Sequence, residues 1–202
     1  MTTPKRNRVT PLGDIVSITL RGAWMGNRGI IHRDHDIVRP YAGPAWITCA
    51  LTFKDWQAAQ WQPHHYTVLF FHDEVVSLAA GHRPCALCRR SDHTAFRAAI
   101  AQATGVAPTS AKDLDRQLHS ERWDPRTRSR RLHRAAWTSL PDGVFVRVDG
   151  RPELVVEDRV IPWTVDGYGR PRSRPTHGDV DVLTPPTSVA ALRGGYRPQV
   201  GL

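Results

Sequence analysis

The chain has 202 residues, 40% of them hydrophobic and 23% charged, with seven tryptophans; it can bury a sizeable core, and wholesale disorder is excluded. No run of about eighteen apolar residues occurs, which excludes a membrane-spanning helix, and the polar start Met1-Thr-Thr-Pro-Lys-Arg-Asn-Arg lacks the apolar core of a signal peptide, so the expected location is cytoplasmic. A net charge of +9 favours an anionic partner, nucleic acid first and DNA ahead of RNA, although only Lys5, Lys54 and Lys112 are lysines and an arginine bias of that kind also arises in GC-rich genomes.

In chain order, residues 1–12 read as a flexible polar arm. Asp14 to Arg21 alternates apolar and polar residues, the pattern of a half-buried strand. Gly22-Ala-Trp-Met-Gly-Asn-Arg-Gly29 reads as a shaped loop; it is either a turn or, through backbone N–H groups, Asn27 and Arg28, a phosphate cradle. His32 and His35 follow. Ala45 to Phe53 forms a strand on which Cys49 shares a face with Ile47 and Leu51. Tyr66 to Phe71 is a short strand, and Asp73 to Ala80 a helix with two acids in its first turn, stopped by Gly81. A second helix is expected from about Cys85 to Ala103, placing Cys88 one turn inside it. Ser110 caps a third helix with Asp113 at its N3 position.

That third helix carries an inward acid. Leu114 and Leu118 mark its buried face, Glu121 falls on the same face, and Asp115, His119 and Arg122 form a stripe beside it. Buried acids need partners. The partner is either a buried arginine or a catalytic neighbour, which makes His119, Glu121 and Asp115 candidate catalytic residues. Asp124 to Arg134 reads as an exposed basic loop. The remainder is β-rich: Gly143 to Val148 alternates, Asp149-Gly150 signals a hairpin, and Leu154–Glu157, Val160–Trp163 and Asp179–Leu183 are further strands. Thr187 to Leu192 is a short helix ended by Gly194-Gly195. The fold class is therefore α+β: one zinc-stabilised domain with a helical middle and a β-rich C-terminal part. After the arm, residues 13–140 form a zinc-knuckle core with helices, and 141–202 a β-rich subdomain packed on it.

The chemistry centres on Gly81-His-Arg-Pro-Cys-Ala-Leu-Cys-Arg-Arg90, which places Cys85 and Cys88 at the spacing that grips one tetrahedral metal ion. Cys49 is the third cysteine. A closed zinc site needs one more ligand, and His32 is the first choice, ahead of His35, His72 and His82; three cysteines with an open, water-bearing position would be the catalytic variant, and three buried free thiols the alternative to both.

Leu69-Phe-Phe-His-Asp-Glu-Val-Val-Ser-Leu-Ala-Ala-Gly-His-Arg-Pro-Cys-Ala-Leu-Cys-Arg89 resembles the second half of the zinc-binding domain of Ada-type DNA alkylation-repair proteins, over roughly residues 66–96. In that family four cysteines bind zinc and one accepts a methyl group from a DNA phosphotriester. The resemblance implies that Cys85 and Cys88 are zinc ligands. The family's first two cysteines are separated by three intervening residues, whereas Cys49 stands alone, with Phe53 four positions on and Ala45 four positions back, so a ligand must come from elsewhere and only Cys49 could inherit the acceptor role. The chain as a whole resembles a group of bacterial proteins sharing these segments, which implies no activity.

Three functions compete. The first is a zinc-stabilised nucleic-acid-binding protein acting in DNA damage or modification, with Arg28, Arg83, Arg89, Arg90, Arg128, Arg130 and Arg131 on phosphates. The second is an enzyme using nucleophilic Cys49, or His119, Glu121 and Asp115, on a phosphate-containing or nucleic-acid substrate. The third is a partner-binding module in which zinc only supports the fold.

Overall fold

A computed structural model describes residues 4–55, 59–106 and 108–202. The fold is mixed α+β, with two main sheets and four α-helices among the described residues. The first sheet has six strands in the order 15–17, 6–9, 69–71, 24–27, 47–49, 83–84. The second has the order 133–136, 179–182, 145–148, 151–156, 159–164, 167–168, with 172–173 also pairing to 159–164. The hairpin expected at Asp149-Gly150 joins strands Phe145–Val148 and Arg151–Val156.

The second sheet is buried on both faces, and its strands alternate accordingly. Phe145, Leu154 and Ile161 point toward Val9, Leu69, Phe71 and Val75 of the first half of the chain, forming one core. Their neighbours Val146, Val155 and Val160 point the other way, into a core with Phe96, Leu114, Leu118 and Leu192. The 141–202 segment thus shares an interior with the strands that precede it.

The helices start and stop where side chains satisfy their ends. Helix α1 (Glu74–Ala79) is capped by the Asp73 carboxylate, which accepts from Val76 N at 2.9 Å. Gly81 follows at φ +88°, and a Cβ there would lie 2.5 Å from Arg122 Cδ. Asp73, which is the cap and not the first-turn residue expected, and Glu74 in the first turn are both buried hubs that fasten the C-terminal tail. Asp73 accepts from Tyr168 Oη and Gly201 N, while Glu74 accepts from Tyr196 Oη, Gln199 N and Arg89 Nη2. Helix α2 (Arg90–Thr104) ends at left-handed Gly105. Helix α3 (Ala111–Arg122) has the expected Ser110 cap, and α4 (Pro186–Arg193) closes the helical layer against α2 and α3.

Three expectations are corrected. Residues 1–12 are not wholly an arm: Arg6–Val9 pairs with strands on both sides, with Asn7 and Val9 buried, because a polar-looking Arg-Asn-Arg-Val run still presents alternate residues inward. The Gly22–Gly29 stretch is not a loop throughout. Trp24–Asn27 is an interior strand, and Gly26 is required there because a Cβ would meet Ile47 O at 2.1 Å. Helix α2 begins at Arg90, five residues later than expected, because the 85–89 turn is bent around the Cys85 sulfur.

Candidate functional site

The strand ladder brings the cysteines together. Ile47–Cys49 pairs antiparallel with Trp24–Asn27, setting Cys49 opposite Met25, and parallel with Arg83–Pro84. The parallel register sets Thr48 beside Pro84, and Cys85 N donates to Thr48 O at 2.9 Å, so Cys85 emerges next to Cys49 across the sheet edge. The chain then turns: Arg89 N donates to Cys85 O, and Leu87 N donates to Cys85 Sγ at 3.4 Å. That turn returns Cys88 to the same spot.

All three sulfurs lie within 4.8 Å of one another. Thiolates about 2.3 Å from a tetrahedral ion are separated by about 3.8 Å, so this donor set fits a metal without rearrangement of the fold. Cys49 and Cys85 are buried and Cys88 is half-buried. Their protons are unequally held. The hydrogen bond to Cys85, reinforced by burial, pushes the Cys49 thiol up; the same bond pulls the Cys85 thiol down, aided by N–H groups of Cys88 and Leu87. Burial raises Cys88 against an N–H bond from Ala50. Met25, Val68, Ile47 and Tyr66 enclose the cluster, and the Tyr66 hydroxyl is pushed up to about 12 by burial and by the three thiols.

None of the expected histidines joins the three sulfurs among the described residues. Among the described residues no histidine or carboxylate joins the sulfur group, and positions 1–3, 56–58 and 107 hold no such residue type. The structure does not bring His32 to the cluster: its Nδ1 lies 2.6 Å from Thr67 Oγ1 and its ring packs edge-on to Trp61. His35 also packs on Trp61, His72 accepts from Trp163 Nε1, and His82 accepts from Arg28 Nε while enclosed by Phe71 and Trp46. Sequence distance from Cys49 could not reveal that His32 sits in a two-strand ribbon whose inward side faces Thr67.

The candidate catalytic residues do not converge. Asp115 forms a bidentate pair with Arg83, 2.8 Å at both contacts and buried on both sides. Glu121 accepts from Thr187 N at 2.9 Å and Thr187 Oγ1 at 2.6 Å, serving the start of α4, whose cap Pro185 offers no side-chain acceptor. His119 stacks edge-on against Tyr41, and its imidazole is held below the usual range by burial and then by Arg122. Each acid therefore has a structural partner.

The cationic residues divide into two groups. Arg90, Arg128 and Arg131 are exposed. Arg83 and Arg89 are buried in ion pairs with Asp115 and Glu74, so they do not face solvent as the expected phosphate contacts would; Arg28 is buried too, but has no ion pair and lines an open cavity. The 124–134 segment is not simply an exposed loop: Trp123–Asp124 and Ser129–Arg130 form a hairpin whose Arg130 turns inward to Ala79 O and Leu183 O. Arg122, from the stripe beside the buried face of α3, and Trp46, which no sequence pattern singled out, join Arg28 at the inner end of this region.

No protein-family model, curated protein or solved structure matches the chain.

Proposed function

We propose that the protein carries zinc on Cys49, Cys85 and Cys88 and binds nucleic acid, DNA in preference to RNA, in DNA damage repair or modification. The observation that carries this reading is the convergence of three sulfurs on one point from segments 36 positions apart. Soft thiolates select zinc over the hard cations, and a reducing cytoplasmic setting keeps them available. Zinc there locks the edge strand 83–84 and its turn to strand 47–49, and leaves one coordination position for water or an incoming ligand. The resemblance of residues 66–96 to the alkylation-repair zinc domain supports both halves of the reading; the methyl-acceptor step is not part of it.

The nucleic-acid half rests on exposed guanidiniums without buried partners, Arg90 beside the knuckle and Arg126, Arg128 and Arg131 on the hairpin. These are delocalised forks suited to phosphate oxygens.

Two measurements test the proposal. Metal analysis of the purified chain should give one zinc per molecule, lost in Cys85→Ala. Anisotropy titrations with duplex DNA should show affinity falling steeply with salt, with a slope reduced by about one in Arg128→Ala. A chain free of zinc, or binding indifferent to salt, refutes the corresponding half.

A further inference from the structure

A cavity of about 470 Å³ opens between the Leu12–Ile15 turn, the Ile37–Pro40 turn and the 123–130 hairpin. Its cationic lining is Arg6, Arg28, Arg39, Arg122, Arg128 and Arg130, against the single carboxylate of exposed Asp14. The inner wall is the unusual part. Arg28 is 3% exposed and Arg122 is 2% exposed, and their guanidiniums lie 3.9 and 4.2 Å from the centre of the Trp46 ring.

None of Arg28, Arg122 and Arg130 forms an ion pair with a described carboxylate. Their donors reach uncharged acceptors instead, mostly backbone carbonyls: Arg28 to Gly13 O and His82 Nε2, Arg122 to Gly81 O, Pro44 O and His119 Nδ1, Arg130 to Ala79 O and Leu183 O. Such acceptors satisfy hydrogen bonds but do not neutralise charge. Arg122 Nε, Arg130 Nε and Trp46 Nε1 are buried with no partner at all.

Each unpaired buried ion carries a desolvation penalty, and the like charges of Arg28, Arg122 and Arg130 repel one another. Burial followed by Arg130 lowers Arg28 to about 9, and burial lowers Arg130 to about 10. Elsewhere this chain pairs its buried arginines with acids, as in Arg83–Asp115 and Arg89–Glu74. Two exceptions at one opening, Arg28 and Arg122, with half-buried Arg130 beside them, describe a site whose counter-charge comes from outside.

We propose that this cavity binds a phosphate ester, with Arg28, Arg122 and Arg130 as its floor and Arg39 and Arg128 at its mouth. Forked guanidiniums in a partly enclosed, low-dielectric wall suit a group of two or more negative charges with several oxygens. The volume, within the usual range of small-ligand sites, exceeds a lone phosphate and admits a pyrophosphate or a nucleotide. Half-buried Trp123 supplies an aromatic surface a base would use, while Trp46, covered by Arg28 and Arg122, backs the floor. The inference deepens the nucleic-acid reading, with a free nucleotide and a phosphorylated strand end as the two sources of the same chemistry.

Strand Ile47–Cys49 separates this cavity from the thiols. Trp46 lies at its start and Cys49 at its end, on alternate faces and about 10 Å apart along the strand. The cavity and the metal cluster are two sites.

The test is calorimetry on the full zinc-loaded chain at low salt with pyrophosphate, ATP, and one short oligonucleotide bearing either a 5′-phosphate or a 5′-hydroxyl. Pyrophosphate is expected to bind, and Arg39→Ala/Arg128→Ala, both exposed positions, is expected to weaken it at least tenfold. Arg28→Gln, if it folds by circular dichroism, should abolish binding. A tighter complex for the 5′-phosphate oligonucleotide assigns the strand end; equal oligonucleotides with tight ATP assign the free nucleotide. Pyrophosphate binding without any oligonucleotide binding removes the nucleic-acid reading and leaves the cavity standing. Folded wild type that binds no phosphate probe, or whose pyrophosphate affinity the double substitution leaves unchanged, overturns the proposal.

Discussion

Replacing Asp115 decides whether α3 carries an active-site acid or a structural one. Asp115→Ala strips the bidentate partner from Arg83, whose side chain is 5% exposed, and leaves a buried guanidinium with only Pro84 O as acceptor. Breaking a buried pair from one side costs about 3–5 kcal/mol. For a chain of this size each kcal/mol moves Tm by about 2–4 °C, so the melting temperature should fall by about 6–20 °C. The consequence reaches the metal as well, because Arg83 belongs to the edge strand whose ladder sets Cys85 beside Cys49. Zinc affinity should fall with stability. Replacing both partners by apolar residues, Arg83→Met with Asp115→Leu, removes the stranded charge and should recover most of the loss. The assay is thermal unfolding by circular dichroism on wild type, single and double variants at one zinc concentration. An Asp115→Ala protein that melts within 2 °C of wild type, or a double variant as unstable as the single, refutes the structural account and returns Asp115 to the catalytic candidates.

Stripping the metal with a strong chelator should lower Tm by about 10 °C, since a metal present at about a thousand times its Kd contributes about 4 kcal/mol; an unchanged melt would mean the thiols hold nothing. Stability should also fall on acidification below about pH 6.5. Burial, then Arg28 and Arg122, hold the His82 imidazole well below its usual range, so the native state keeps it neutral while the unfolded chain takes the proton. Its contribution is complete above the unfolded pKa and declines as pH drops, by up to about 1.4 kcal/mol per pH unit. Denaturant midpoints from pH 7.5 to 5.0 should show a shallower decline in His82→Gln, and parallel profiles would exclude His82 as the source. Glu121→Ala should cost about 1–2 kcal/mol by uncapping α4, measured by urea unfolding. A stable Glu121→Ala protein would contradict the capping role.

What could be read from the sequence was local. Ser110 with Asp113, Asp73 ahead of an apolar run, and Asp149-Gly150 between alternating strands each act within a few residues, and each stands where expected. The Cys85–Cys88 spacing was legible for the same reason. Cys49 could be grouped with them by chemistry, but its placement rests on a parallel pairing of Ile47 with Arg83 that no sequence period encodes. The fourth-ligand expectation failed at that point: which edge of the 32–37 ribbon faces the sheet depends on Thr67 and Trp61, some thirty residues away.

The arginines were misread for a deeper reason. A run such as Arg-Pro-Cys-x2-Cys-Arg reads as a cationic surface because arginine is seldom fully buried without a partner, and the partners here, Asp115 for Arg83 and Glu74 for Arg89, are 32 and 15 residues distant. Net charge conceals the same fact. Of the formal +9, the contributions of Arg28 and Arg122 lie inside the protein at one opening, with half-buried Arg130 beside them. An interior charge acts through a low-dielectric wall and focuses its field on the cavity mouth, whereas the same charge on the surface is screened within about 10 Å by salt. A basic composition alone therefore argues for diffuse attraction to any polyanion; charges held inward without counter-ions argue for one bound anionic group.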